Sequence, residues 1–122
     1  MLLFDATDGI GVDGLEDALT RAFEVIRRAL DNGEAVVVSL DDRHVQGLGT
    51  TGQVAYVHGL VGLVRALAIE GHKPGWHVVA LSSTPDVEPS ERLRWFEHLG
   101  RPGPASGGLV RLGGEHLGRV PV

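Results

Sequence analysis

The sequence predicts a three-layer, Rossmann-like α/β domain with a parallel sheet of about four strands in the order βαβαβαβ. Three observations predict it. Short apolar runs alternate with longer segments of helical period. The run Ala35-Val36-Val37-Val38-Ser39-Leu40 is β-branched and apolar nearly throughout, as a parallel strand covered on both faces must be. The chain has 122 residues, enough for one domain that buries its core without disulfides. Strands joined through helices imply right-handed crossovers.

Each element has its own reason. Leu2-Leu3-Phe4 reads as a first strand that begins almost at the first residue. Leu15, Ala18, Leu19, Ala22, Phe23, Ile26, Ala29 and Leu30 recur at helical spacing, with charged residues between them. Acids lie early and arginines late, which suits the helix dipole, and Asn32-Gly33 ends the segment. The second strand is followed by a polar, Gly-rich loop from Asp41 to Thr51. Thr50 or Thr51 caps a second helix that runs to about Gly71. Its apolar positions, Val54, Val57, Leu60, Val61, Leu63, Val64 and Leu67, wrap more than one face, while Gly59 and Gly62 flatten one side. A helix greasy on two sides packs on a sheet and on something else. Lys73-Pro74-Gly75 is a turn, and Trp76 to Leu81 is a third strand. Pro85 to Pro89 is a loop, and Ser90 to Leu99 is a short helix with Ser90 as its cap. Arg101-Pro102-Gly103-Pro104 links it to a fourth strand, Gly108 to Leu112.

Composition narrows the function. Net charge is −5, from 11 basic and 16 acidic residues, with no basic stripe, so nucleic acid is not an expected partner. The absence of cysteine excludes thiolate metal sites and thiol nucleophiles, and fits a reducing, cytoplasmic setting. Gly, His or Arg interrupts the longest apolar stretches short of the ~20 residues of a membrane span, and no basic region marks a signal peptide. Histidines 44, 58, 72, 77, 98 and 116 lack metal-ligand spacing and are expected in loops or solvent. Ser39, Asp41 and His44 could form a hydrolase triad, but no Gly-x-Ser-x-Gly elbow accompanies them.

Gly9-x-Gly11-x-x-Gly14 spells a dinucleotide-binding loop, and Asp41 and Asp42 follow the second strand, where an acid for ribose hydroxyls belongs. Asp5-Ala6-Thr7-Asp8 intervenes between the strand and Gly9, and its carboxylates would repel a phosphate. The loop therefore reads as a flexible connection, with cofactor binding by Gly9, Gly11, Gly14 and Asp41 as the alternative. Asp5, Ser39, Asp41, Ser82 and Thr84 are expected at the carboxyl edge of the sheet, where such folds bind ligands. Trp95-Phe96 serves the core, or else a lid over that edge.

Four segments carry a family resemblance. "GLVGLVRALAIEGHKPGWHVVALS" at 59–82 resembles the helix and strand after the catalytic Tyr-x-x-x-Lys of short-chain dehydrogenases/reductases. "ASGGLVRLGG" at 105–114 resembles that family's closing strand. "GEAVVVSLDD" resembles the strand of its catalytic serine, and "LLFDATDGIG" the strand and turn before it. The resemblance implies that 1–122 is a single truncated domain, the C-terminal half of such an enzyme without its nucleotide loop. Gly9, Gly11 and Gly14 are then coincidental.

The family's reaction needs a serine to polarise a carbonyl, a tyrosine to move a proton, and a lysine to lower the tyrosine's pKa. Aligned without a gap, those positions hold Leu40, next to Ser39, then Gln53 and Val57. With a three-residue gap Tyr56 matches, but its lysine position is Leu60. The family's Pro-Gly after the third strand is replaced by Ser82-Ser83-Thr84-Pro85. The resemblance thus implies a degenerate enzyme, with Ser39 and Tyr56 its only catalytic candidates and NAD(P) not favoured. It also implies a homodimer through the helices at 14–32 and 51–71. An NAD(P)-dependent reductase completed by a partner chain that supplies the N-terminal half, and a small nucleotide-binding module, are the alternatives.

Overall fold

The computed structural model describes residues 1–7, 12–103 and 105–113. Its sheet has strands β1 (Leu2–Asp5), β2 (Val36–Asp41), β3 (Val78–Ser83) and β4 (Leu109–Leu112). All pairs are parallel, and spatial order equals chain order, β1-β2-β3-β4. Helices α1 (Leu15–Asp31), α2 (Asp42–Val45), α3 (Thr51–Glu70) and α4 (Pro89–Leu99) fill the connections. This is the expected α/β architecture. Every residue of β2 and β3 is buried, which explains their unbroken apolar character.

The helices begin and end for local reasons. Thr50 Oγ1 accepts from the Gln53 N–H at 3.2 Å, and Gln53 Oε1 accepts from the Thr50 N–H at 2.9 Å, closing a capping box on α3. Asn32 caps the end of α1, and Gly33 turns the chain with φ of +80°. Pro89 occupies the first turn of α4, with Glu88 in the capping position rather than Ser90. The expected loop after β2 contains the four-residue α2, capped by Asp41. The third strand lies two residues later than the sequence implies, although the His77 carbonyl still accepts from the Val36 N–H.

Side chains alternate across the sheet and so build two cores. Val36, Val38, Leu40, Val78 and Ala80 face α1 and α3, joining Ala22, Ile26, Leu30, Val57, Leu60, Val64 and Leu67. Val37, Val79 and Leu81 face the opposite way and pack against Phe96 and Leu99 of α4. Trp95 packs beside them, so the Trp95-Phe96 pair serves this core. Gly59 lets α1 and α3 approach, since a Cβ there would lie 2.9 Å from Leu19 Cδ2. By length and composition α3 could cross a membrane. Here its row of Tyr56, Val57, Leu60, Val64 and Leu67 lies in the core.

One expectation fails. The chain steps across the sheet in one direction throughout, yet α1 and α3 cover one face and α4 the other. The β3-α4-β4 crossover therefore has the hand opposite to the two before it, and the three cannot all be right-handed. Specific contacts fasten this unusual connection. The His77 ring bonds the Leu99 carbonyl through Nε2 at 2.6 Å, and the Gly107 N–H donates to the Val78 carbonyl at 2.7 Å. The Val78 N–H donates to Ser106 Oγ at 3.2 Å.

Leu60 is fully buried, whereas Leu93 is mostly exposed. Leu60→Ala is expected to cost about 2–5 kcal/mol of stability in urea unfolding. Leu93→Ala is expected to stay within about 0.5 kcal/mol of the parent.

Candidate functional site

The parallel register brings polar residues to the carboxyl edge of the sheet. Asp5 pairs with Ser39, Leu40 with Ser82, and Asp41 with Ser83. Beyond β3, the Thr84 N–H donates to the Leu112 carbonyl at 3.1 Å. Alternation then divides these residues between the two faces. Ser39, Asp41 and Ser83 lie on the α4 side, and Ser82 lies on the side of α1 and α3.

The acids at this edge are engaged. Asp5 accepts from the Thr7 N–H at 3.0 Å and from Thr7 Oγ1 at 2.7 Å. Asp41 accepts from the Arg43 N–H at 2.9 Å, and its two oxygens hold the Arg43 guanidinium at 2.6–3.2 Å. Burial pushes the Asp41 carboxyl up, but bonds from Arg43 outweigh it, with the charges of Arg43 and His44 acting the same way. The carboxyl stays below its ordinary range. A ribose diol would have to compete with this bidentate pair for Asp41.

The densest polar cluster centres on Asp42, only 1% exposed. Arg111 of β4 grips it with two bonds, Nε to Oδ1 at 2.7 Å and Nη2 to Oδ2 at 2.8 Å. Ser82 Oγ donates to Oδ1 at 2.7 Å, and Gln46 Nε2 to Oδ2 at 3.1 Å. Burial raises the carboxyl's pKa. Bonds from Arg111 and Ser82, the Arg111 charge and Gln46 together outweigh burial and hold it low. The pair in turn raises the guanidinium. Sequence reading considered Asp42 only as a ribose acid and missed Arg111. The available signal was a lone charge inside the apolar run Gly108-Leu109-Val110-Arg111-Leu112.

The catalytic candidates are kept apart. Tyr56 sits in the core between α3 and the sheet, whereas Ser39 shares the opposite face with Val37. Burial raises the Tyr56 hydroxyl above its ordinary value, only partly opposed by the Arg21 charge. Lys73, the sole lysine, lies beyond the far end of α3, about 20 Å along the helix from Tyr56. The alternative lysine positions, Val57 and Leu60, are buried apolar residues, as is Leu40. Gln53 is committed to the α3 cap. The structure therefore does not assemble Ser39 and Tyr56 into one site.

Gly9 and Gly11 lie outside the described residues. Gly14 precedes α1 at its cap position, with no side-chain cap bond and open space where a Cβ would stand. Two histidines differ from expectation: His44 and His77 are buried, His44 within α2 and His77 in the hook to Leu99. Among the described residues, no three His, Asp or Glu side chains are grouped to hold a metal.

Arg111→Met would leave a buried carboxylate unpaired and is expected to cost about 3–5 kcal/mol. The pH dependence should change sign. In the parent, Asp42 is depressed in the folded state, so its contribution is complete above about pH 4 and is lost as pH falls through the lower folded value. In Arg111→Met, burial raises the folded pKa, so this residue favours folding more as pH falls towards 4. Urea midpoints at several pH values check both signs.

Comparisons with protein-family models, with curated proteins and with solved structures find no match for this chain.

Proposed function

We propose that this chain is a catalytically degenerate domain resembling the C-terminal half of a short-chain dehydrogenase/reductase, and that it works as a dimeric binding or structural module. One observation carries the reading: no ammonium group stands beside the only phenol, and that phenol is buried on the opposite face of the sheet from Ser39. A tyrosine held above its free pKa of about 10 is a poor proton carrier at neutral pH. Leu40 and Val57 at the aligned serine and lysine positions support the same reading. A cytoplasmic setting belongs to it, supported by the absence of cysteine. The self-association assigned to the helices at 14–32 and 51–71 is supported at the surface by one exposed large apolar side chain on each, Val25 on α1 and Ile69 on α3.

One observation favours a second reading, in which a partner chain completes a reductase. The Leu2 N–H donates to Ala35 and the Ala6 N–H to Ser39, so even-numbered residues of β1 face β2. Leu3 and Asp5 then turn their backbone groups outward, with Met1 and Leu3 exposed beside them. A separate nucleotide-binding role for Gly9, Gly11, Gly14 and Asp41 is disfavoured by the engagement of Asp41 with Arg43.

Titration of NADH and NADPH, followed by fluorescence, should show no saturable change up to about 1 mM. Turnover of a ketone or alcohol by this chain alone would end the degenerate reading. Size exclusion with light scattering at micromolar concentration should give twice the chain mass. A monomer would remove the dimer from the proposal.

A further inference from the structure

We infer that the amino edge of the sheet, at the end opposite the Asp42 cluster, holds a binding cleft for a small organic ammonium ion. The cleft has a volume of about 270 Å³ and is lined by the turns that lead into β2 and β3 and by Pro102 ahead of β4. That volume lies just below the range of drug-sized sites, about 300–1,000 Å³, and suits a small amine. Leu30, Trp76 and Pro102 give it apolar walls, while Asp31, Glu34 and His77 bring polar groups to it.

The buried polar group of the cleft is His77, only 5% exposed. A carbonyl only accepts, so the contact to Leu99 at 2.6 Å places a hydrogen on Nε2. In the neutral ring Nδ1 is then a bare acceptor, and it has no partner within the chain. Yet no buried side-chain nitrogen or oxygen among the described residues lacks a partner. Nδ1 is therefore open to solvent, and the cleft is the opening that His77 lines. The ring is held at one nitrogen and offers the other to whatever enters.

The charge of the lining selects a cation. No lysine or arginine lines the cleft among the described residues. No ion pair within the chain engages Asp31 among them, and Glu34 meets only the Met1 ammonium, at 3.9 Å. Arg27, 5.6 Å from the centroid of the Trp76 ring, is itself paired with Glu70 at 3.0 Å. The described His, Asp and Glu side chains are not grouped closely enough to hold a metal ion. An organic ammonium supplies what these groups lack: an N–H for Nδ1, a positive charge for the two carboxylates, and an apolar body for Leu30 and Trp76.

The test is a calorimetric titration of the full chain with phenethylamine, with phenethyl alcohol and phenylacetate as its neutral and anionic counterparts. Phenethylamine should bind saturably with a Kd below about 1 mM, and neither counterpart should. Asp31→Asn combined with Glu34→Gln, both at exposed positions, should leave melting unchanged and weaken binding at least about tenfold. Glu91→Gln, in the first turn of α4 at the other end of the sheet, should leave binding as in the parent. Nitrogen NMR of the His77 ring should show Nδ1 shifting on binding. Equal binding of phenethyl alcohol, or binding untouched by the double substitution, overturns the cation site. Absence of saturation up to about 10 mM phenethylamine, or an Nδ1 resonance that stays in place, overturns the cleft itself.

Discussion

The carboxylate of Asp42 is the constraint around which the carboxyl edge is organised. It is taken almost wholly out of water, and nothing but a matched set of donors makes that tolerable. Arg111, Ser82 and Gln46 supply the set, drawn from β4, β3 and the residue that ends α2. The cluster thus ties the end of β2 to two further strands at once. It also pins β4, the strand reached by the crossover of unusual hand. An arginine held in two bonds is spent as a structural cation, with only its edge left towards solvent.

The alternation of a parallel strand decides what the other polar residues can do. Ser39 and Leu40 are neighbours in sequence and lie on opposite sides of the sheet. A hydroxyl at position 40 would share a face with Tyr56; the hydroxyl at 39 does not. One residue of register separates a polar pair that could share a substrate from two residues divided by the sheet. Asp41 and Asp42 are likewise parted, each beside its own arginine. The edge has polar residues in quantity, but the carboxylates of Asp5, Asp41 and Asp42 and the Ser82 hydroxyl are all engaged within the chain.

Much of the fold was legible in the sequence because its signals are local. The run from Ala35 to Leu40 reports burial on both faces, and the period of α1 and the Thr50 cap need only neighbouring residues. What was illegible is long-range or very short. The four residues of α2 carry no periodicity. Trp76-His77 has strand-like composition, yet the His77 side chain serves a carbonyl 22 residues away. The apolar positions Phe96 and Leu99 show that α4 is amphipathic without saying which face of the sheet receives it. Arg111 and Asp42 are 69 residues apart, so a lone arginine in a strand was visible but its partner was not. For the candidate site, residue types were legible, and the face each would occupy was fixed only by one-residue differences in strand register.

The coincidence of spatial and chain order affects how the molecule can be made. Each new strand joins the edge left by its predecessor, so no strand must insert between two already in place. A chain emerging from the ribosome can zip its sheet forward, closing α1 over β1 and β2, then α3 over β2 and β3. Only the last step differs, because α4 must swing beneath the finished layer before β4 can seat. The opposite face of the sheet therefore stays bare until α4 has been made and docked, and that interval is when a nascent chain most needs shielding from its neighbours.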